Sequence, residues 1–180
     1  NACINGQQTK LQKMLPVYRA IFEMAINQVP SPPIAQAYRV VKIWDGQVGS
    51  KVGKALVHCS DDGPTVMYVT NIHADSNGDT VASGRLFSGT VKNGDKLYLM
   101  DALTKAEVKQ VAIDMGSFRE EALEVSAGNL ASVTVSGKVA AGETLVDLAH
   151  KDGTVPFEAI CYVSEPVVTL ALEPKNPKDL

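Results

Sequence analysis

The first candidate for chemistry in this chain is a short run rich in glycine and lysine at residues 49–55. It is similar to a phosphate-binding loop, in which four residues separate the first glycine from a Gly-Lys-Ser/Thr string whose hydroxyl reaches Mg²⁺. Here only three residues separate Gly49 from Gly53, and Ala55 has no hydroxyl. We therefore interpret the run as a solvated loop. Because a base-reading Asn-Lys-x-Asp string is also missing, we expect that this chain does not bind GTP by itself.

The histidines, cysteines and paired carboxylates do not have the spacing of a catalytic or metal-binding site. Cys3, Cys59 and Cys161 fit neither a disulfide framework nor a zinc spacing. His58 directly precedes Cys59, so the two side chains would diverge in a strand. We interpret the carboxylate pairs at 61–62 and 120–121 as solvated loops rather than acid–base pairs. We predict no catalytic residue, no metal site and no bound cofactor. The few, widely spaced cysteines also favour a protein of the reduced, cytoplasmic compartment.

Basic residues around one predicted corner of the fold are the remaining candidates for binding. Five of them lie in or near residues 84–95, and we treat them as candidate RNA contacts: Arg85, Lys92, Lys96, Lys105 and Lys109. A few such charges are enough for salt-dependent contacts to phosphates, although neighbouring aspartates also allow a mixed-charge surface. The chain has 17 Lys and Arg against 20 Asp and Glu, a net charge of −3. Any RNA contact is therefore expected to be local, or made within a larger assembly.

The elements that must position these residues are predicted as one helix followed by many strands. Pro16 and the apolar spacing of residues 17–28 favour an amphipathic helix, which the prolines of residues 29–33 end. The turn at Asn93-Gly94 is predicted to be a type I′ hairpin turn. Alternation and β-branched content predict strands at 37–44, 55–59, 65–73, 80–87, 90–91, 96–100, 107–114, 129–135 and 143–148. This pattern favours a mainly β fold, a small antiparallel β-barrel, with an aligned β-sandwich as the alternative.

Three segments organise the chain in this interpretation. Residues 1–33 form an N-terminal helix and a proline-rich junction, residues 34–153 the β-barrel, and residues 154–180 a linker and the partial start of another domain. A strand at 166–172 and a helix-start signal at Asn176-Pro177 lead us to expect a middle piece of a longer protein. No apolar run is long enough to span a membrane. We expect exposed apolar stripes to favour self-association of the isolated piece.

A glycine-anchored string at residues 84–95 resembles the second domain of the translational GTPases. It combines Gly-Arg-Leu, Gly-Thr-Val and Gly-Asp at fixed spacing. Residues 29–32 and 36–39, with 162–168 and 173–180 at the other end, are similar to motifs of elongation factor 2, the ribosomal translocase of archaea and eukaryotes. The Ser-Glu-Pro-Val-Val form of the later motif resembles the archaeal proteins. The resemblance extends from about Pro16 to Leu180.

This resemblance implies a binding and coupling module of protein synthesis rather than a separate enzyme. It implies a barrel that packs against a GTPase domain absent from this chain, with GTP and Mg²⁺ held there. It further implies docking on the rRNA of the small ribosomal subunit and coupling to domains III to V. Two alternatives stay open. One is the equivalent barrel of a ribosome-assembly or spliceosomal GTPase, and the other is an independent cofactor-binding enzyme on a β-barrel.

Overall fold

Helices come first along the chain and strands follow. The computed structural model describes residues 8–14, 16–75, 79–116 and 118–158. Within these residues, four helices precede the barrel, and they are α1 (Gln8–Met14), α2 (Val17–Gln28), α3 (Pro32–Ile43) and α4 (Lys51–His58). The strand predicted at 166–172, the helix start at Asn176, and Cys3 and Cys161 lie outside the described residues.

Nine strands follow within the described residues. They are β1 (Val66–Ala74), β2 (Thr80–Ser88), β3 (Thr90–Lys92), β4 (Lys96–Leu99), β5 (Thr104–Met115), β6 (Phe118–Ala122), β7 (Glu124–Ser126), β8 (Leu130–Val135) and β9 (Thr144–Asp147). A 3₁₀ turn at Lys151–Gly153 comes after the last of them. Every pairing is antiparallel.

Six of the strands close into a ring. Their order is β4-β9-β1-β2-β8-β5, and β5 pairs again with β4 to complete the circle. β6 extends the sheet from β5, and β3 pairs separately with β7. Ring closure leaves no edge among these six strands for pairing with another chain. The predicted mainly β fold and small antiparallel barrel are therefore confirmed, and the sandwich alternative is wrong.

Two hydrophobic cores result from the alternation of side chains along the strands. Inside the ring, buried apolar residues include Met67, Leu86 and Val133. On the outer face of β1, β2 and β9, their neighbours Val66, Phe87 and Val146 pack with residues of the two helices α3 and α4, which are Val40, Trp44, Val52 and Leu56. This second core joins the helices to the barrel.

The strands predicted at 37–44 and 55–59 are wrong, because both segments are helical. Ser31 stands before two prolines in the first turn of α3, and the buried residues Gln36 and Val40 are one helical turn apart. Ser50 caps α4 by accepting a hydrogen bond from the Gly53 N–H at 3.0 Å. Capping and helical spacing here outweigh the β-branched content on which the strand predictions rested. The run at 49–55 is consequently the start of a helix and not a solvated loop.

The hairpin predicted at Asn93-Gly94 is also wrong, although a turn is present. Gly94 has a positive φ of 87°, whereas Asn93 does not, so the type I′ geometry is not formed. β3 and β4 on either side pair with other strands. The chain uses this turn to pass from the small β3–β7 sheet into the ring. The chain also bends before this turn, where Gly89 has a φ of 77° between β2 and β3.

Strands β6 and β7 were not predicted, and the carboxylates of the first were assigned to a loop. Glu120 and Glu121 lie in β6, in register with Ile113 and Ala112 of β5. Because β6 is mostly exposed, its sequence lacks the alternation of a half-buried strand. The other carboxylate pair, Asp61 and Asp62, does lie in an exposed turn, as predicted.

Replacing Gly84 is expected to destabilise the barrel, because the backbone of the adjacent strand leaves no room for a side chain. A Cβ at this position would lie 2.0 Å from the carbonyl oxygen of Tyr68 on the adjacent strand. Gly84→Ala should therefore lower the free energy of unfolding by about 2 kcal/mol or more, as overpacking does. Gly49→Ala is the matched control, because a Cβ there meets nothing within 4 Å. Urea denaturation of both variants tests this, and equal stabilities would contradict it.

Glu143 is expected to give a pH-dependent contribution to stability. Its side chain is buried beside β9, where it accepts a hydrogen bond from the Asp101 N–H at 2.7 Å. Burial raises the pKa of this carboxyl group above its ordinary value, and the neighbouring Asp101 charge adds to the effect. The native state therefore binds this proton more tightly than the unfolded state, so the stabilising contribution is greatest at low pH and is lost as pH rises through the raised pKa.

Glu143→Gln keeps the acceptor oxygen and removes the charge. We expect the variant to be at least as stable as the parent at neutral pH. The difference between their free energies of unfolding should narrow as pH falls from about 7 to about 4. Thermal unfolding across this pH range measures the effect. A difference that widens as pH falls would contradict the assignment.

Candidate nucleic-acid interface

The five predicted RNA-contact residues do not form one patch. Arg85 lies on β2, where its register partners are Tyr68 and Leu130. Lys96 lies on β4, which is three strands away from β2 in either direction around the ring. Arg85 and Lys96 are therefore on opposite sides of the barrel. The other three candidates are distributed between β3 and β5.

Lys92 and Lys109 are engaged in ion pairs. The Lys92 Nζ lies 2.6 Å from the Glu124 Oε2, and the Lys109 Nζ lies 2.6 Å from the Asp79 Oδ1. The hydrogen bond and charge of Glu124 raise the pKa of Lys92. These exposed pairs exchange readily with solvent and other ions. Each lysine would have to exchange its carboxylate for a phosphate in order to contact RNA.

Lys96 and Lys105 share the outer face of β4 and β5. Lys105 is in register with Tyr98, and Lys96 is in register with Glu107. Neither lysine has an ion-pair partner within the described part of the chain. The Lys151 Nζ adds a third cation, 5.0 Å from the centre of the Tyr98 ring. We call this group of three lysines around Tyr98 the Tyr98 face.

Arg85 belongs to a cleft between α3 and the outer face of β2. The cleft has a volume of about 180 Å³ and is lined by Ala35, Gln36, Arg39, Ile43, Arg85 and Phe87. The Arg85 guanidinium lies over the Phe87 ring, 5.7 Å from its centre. Neither Arg39 nor Arg85 has an ion-pair partner among the described residues. We call this feature the Arg39–Arg85 cleft.

Gln36 forms the floor of this cleft and holds its two sides together. The side chain is buried, and its Nε2 donates to the carbonyl oxygens of Leu56 at 2.6 Å and of Phe87 at 2.8 Å. Both acceptors are carbonyls, so the orientation of the amide is fixed by donor and acceptor type. The Gln36 Oε1 is buried and has no hydrogen-bond partner. Two guanidiniums therefore line the cleft, and the buried Gln36 side chain in its floor carries one unused acceptor oxygen.

Sequence reasoning missed Arg39 as a member of the site. It placed residues 37–44 in a strand and left Gln36 outside that strand, so the two side chains were not brought together. In the helix these residues are three apart and share one side, with Ile43 one turn further along. The usable signal was the Ser31-Pro32-Pro33 helix start, which places the whole segment on α3.

Within residues 8–14, 16–75, 79–116 and 118–158, no group of three or more His, Cys, Asp or Glu side chains is placed to hold a metal ion. None of the helices that the structure describes is long and apolar enough to cross a membrane.

The ring of strands defines the class of protein domain. Residues 79–146, from the start of β2 to the end of the ring, match the family model of elongation factor Tu domain 2. The barrel therefore has the fold of that translation-factor domain.

Over nearly its whole length, the chain is similar to elongation factor 2 of archaea. It is 45% identical over 171 residues to elongation factor 2 of Staphylothermus marinus, covering 95% of this chain and 23% of the relative. It is 44% identical to that of Metallosphaera sedula with the same coverage, and 41% identical over 184 residues to that of Sulfurisphaera tokodaii, covering 100% and 25%. The chain thus spans about a quarter of the length of the curated relatives it matches.

Replacing Gln36 tests how the cleft is held. Gln36→Leu leaves the carbonyl oxygens of Leu56 and Phe87 without their donor, which should cost about 2 kcal/mol or more of unfolding free energy. Gln47→Leu, at an exposed position next to α4, is the control and should change stability by about 0.5 kcal/mol or less. Both values come from urea denaturation. A Gln36→Leu variant as stable as the control would show that the amide does not hold the helices on the barrel.

Proposed function

We propose that this chain is the domain II region of an archaeal elongation factor 2, and that it binds and couples without performing covalent chemistry. In this proposal it docks on the rRNA of the small ribosomal subunit. It also passes the nucleotide state of a GTPase domain, which holds the GTP and Mg²⁺, to domains III to V during translocation in the cytoplasm. The observation that carries the proposal is 41–45% identity to archaeal elongation factor 2 over at least 95% of the chain.

Docking on RNA is supported by the distribution of unpaired cations. The chain has a net charge of −3, yet Arg39 with Arg85, and Lys96 with Lys105, stand without ion-pair partners among the described residues. Phosphate contacts require only a few such charges and supply a large share of the affinity for nucleic acid. In the proposal, the Arg39–Arg85 cleft and the Tyr98 face are two separate contact points.

Coupling is supported by the way the helices are fixed to the barrel. The Gln36 amide joins α3 to α4 and β2, and the Trp44 Nε1 donates to the Val155 carbonyl at 2.7 Å. The segment that contains α3 and α4 is therefore packed on the ring through a buried core. A force applied to the helices would move the barrel with them, because packed interiors transmit strain.

The alternatives are weaker. A barrel from a ribosome-assembly or spliceosomal GTPase would share the fold, but the relatives reported above all carry the name elongation factor 2. An independent cofactor-binding enzyme has no supporting observation in the described residues. An absorbance spectrum of the purified chain would reveal a bound flavin and so favour that alternative.

Binding to archaeal small ribosomal subunits tests the proposal. We expect saturable binding whose logarithmic affinity falls linearly with the logarithm of salt concentration, by about 0.7 to 0.9 per phosphate contact. Arg85→Glu should weaken binding and reduce this slope by about one contact. Lys138→Glu, which reverses one exposed charge elsewhere, is the matched control and should leave binding unchanged. Binding that is absent, or insensitive to salt, would contradict docking by this region alone.

A further inference from the structure

We propose that the Arg39–Arg85 cleft is a pocket for a single ribonucleotide unit of RNA. The two guanidiniums would pair with its phosphodiester, and its 2′-hydroxyl would donate to the Gln36 Oε1. This inference rests on the proposed RNA-binding function and adds to it a site, a ligand chemistry and a preference for RNA over DNA.

The charged half of the ligand follows from the two arginines. Arg39 lies on α3 and Arg85 on β2, so guanidiniums approach the same cavity from two different elements. None of the residues that line the cavity is acidic. Arginine presents a planar fork of donors that suits two oxygens of one phosphate or carboxylate group. The ligand should therefore carry such an anion.

The unpartnered Gln36 Oε1 indicates that the ligand also carries a hydrogen-bond donor. Both Nε2 hydrogens are used by the carbonyls of Leu56 and Phe87, which leaves the Oε1 as an acceptor with no partner. A phosphodiester or an ionised carboxylate cannot satisfy it, because each offers only acceptors. A ribose 2′-hydroxyl can donate, and it lies next to the phosphate on the same nucleotide. A ribonucleotide supplies the anion and an adjacent donor within its sugar–phosphate backbone, whereas the backbone of DNA or an acidic side chain supplies only the anion.

The size and walls of the cleft agree with a sugar–phosphate unit. At about 180 Å³ the cavity is smaller than the roughly 300–1,000 Å³ of pockets that hold drug-sized ligands. Phe87 and Ile43 give it apolar walls against which the carbon face of a ribose can pack. Arg39 and Ile43 are exposed on α3, and the proposal requires side chains at the mouth of the cleft to move so that a ligand reaches the buried Oε1. Base identity is not expected to matter.

The test is an NMR titration of the full 180-residue chain with small probes. The probes are the dinucleotide UpU, its 2′-deoxy analogue dUpdU, and inorganic phosphate. The signals observed are the Gln36 side-chain amide and the Nε–H groups of Arg39 and Arg85. We expect UpU to shift all three saturably, with a Kd about three to ten times lower than that of dUpdU, as the loss of one hydrogen bond predicts.

Variants assign the effect to the cleft. Arg39→Ala removes an exposed side chain at the mouth, so it should fold normally and weaken UpU binding about tenfold or more. Lys138→Ala, which also removes one exposed positive charge, should leave the Kd unchanged. Backbone amide spectra of both variants verify that the fold is retained.

Several results would overturn the inference. These are equal affinities for UpU and dUpdU, phosphate binding as tight as UpU binding, or no shift at Gln36 up to the solubility limit of the probe. Shifts confined to the Tyr98 face would place RNA binding elsewhere. If the chain binds small ribosomal subunits while UpU leaves the cleft unchanged, only this inference fails. If subunit binding is also absent, the proposed docking function fails with it.

Discussion

The Gln36 side chain is the interaction on which the arrangement of helices and barrel depends. One amide donates to the last turn of α4 and to β2 at once, so it fixes three elements relative to one another. The buried contacts of Val40, Trp44 and Leu56 with the outer face of the barrel provide the hydrophobic free energy. Those contacts do not specify a direction, whereas two hydrogen bonds to fixed carbonyls do. The position of Arg39 opposite Arg85 is a consequence of this geometry.

Much of the barrel could be predicted from its sequence, because its strands are half-buried. β1, β2, β4, β8 and β9 alternate between the ring interior and the outer face, and this alternation is what a period-2 pattern detects. β6 could not be found in this way, since it is largely exposed and follows no such pattern. The Asn93-Gly94 turn was predicted, but the pairing of the strands on either side of it was not, because pairing in a closed ring is set by contacts distant in sequence.

The helices before the barrel show why Arg85 was among the predicted candidates of the cleft and Arg39 was not. The segment 37–44 contains valines, an isoleucine, a tyrosine and a tryptophan, which favour a strand when each residue is weighed separately. The helix is decided by its start, where Ser31 and two prolines fix the first turn. Once that start is missed, Gln36 and Arg39 are not placed on the same side of one helix. The cleft between α3 and β2 can then not be predicted. Arg85 was among the candidates because its charge lies at the predicted corner of residues 84–95.

The distribution of charge restricts where this domain could bind RNA. Lys92 and Lys109 are neutralised by carboxylates at 2.6 Å, while the unpaired cations among the described residues include two separated sets on opposite sides of the ring. A chain with an acidic balance repels nucleic acid over most of its surface at low salt. In the proposed function, RNA binding would then be confined to those places where cations stand without ion-pair partners. Such confinement would fix the orientation of a bound RNA, which the proposed coupling role requires more than high affinity.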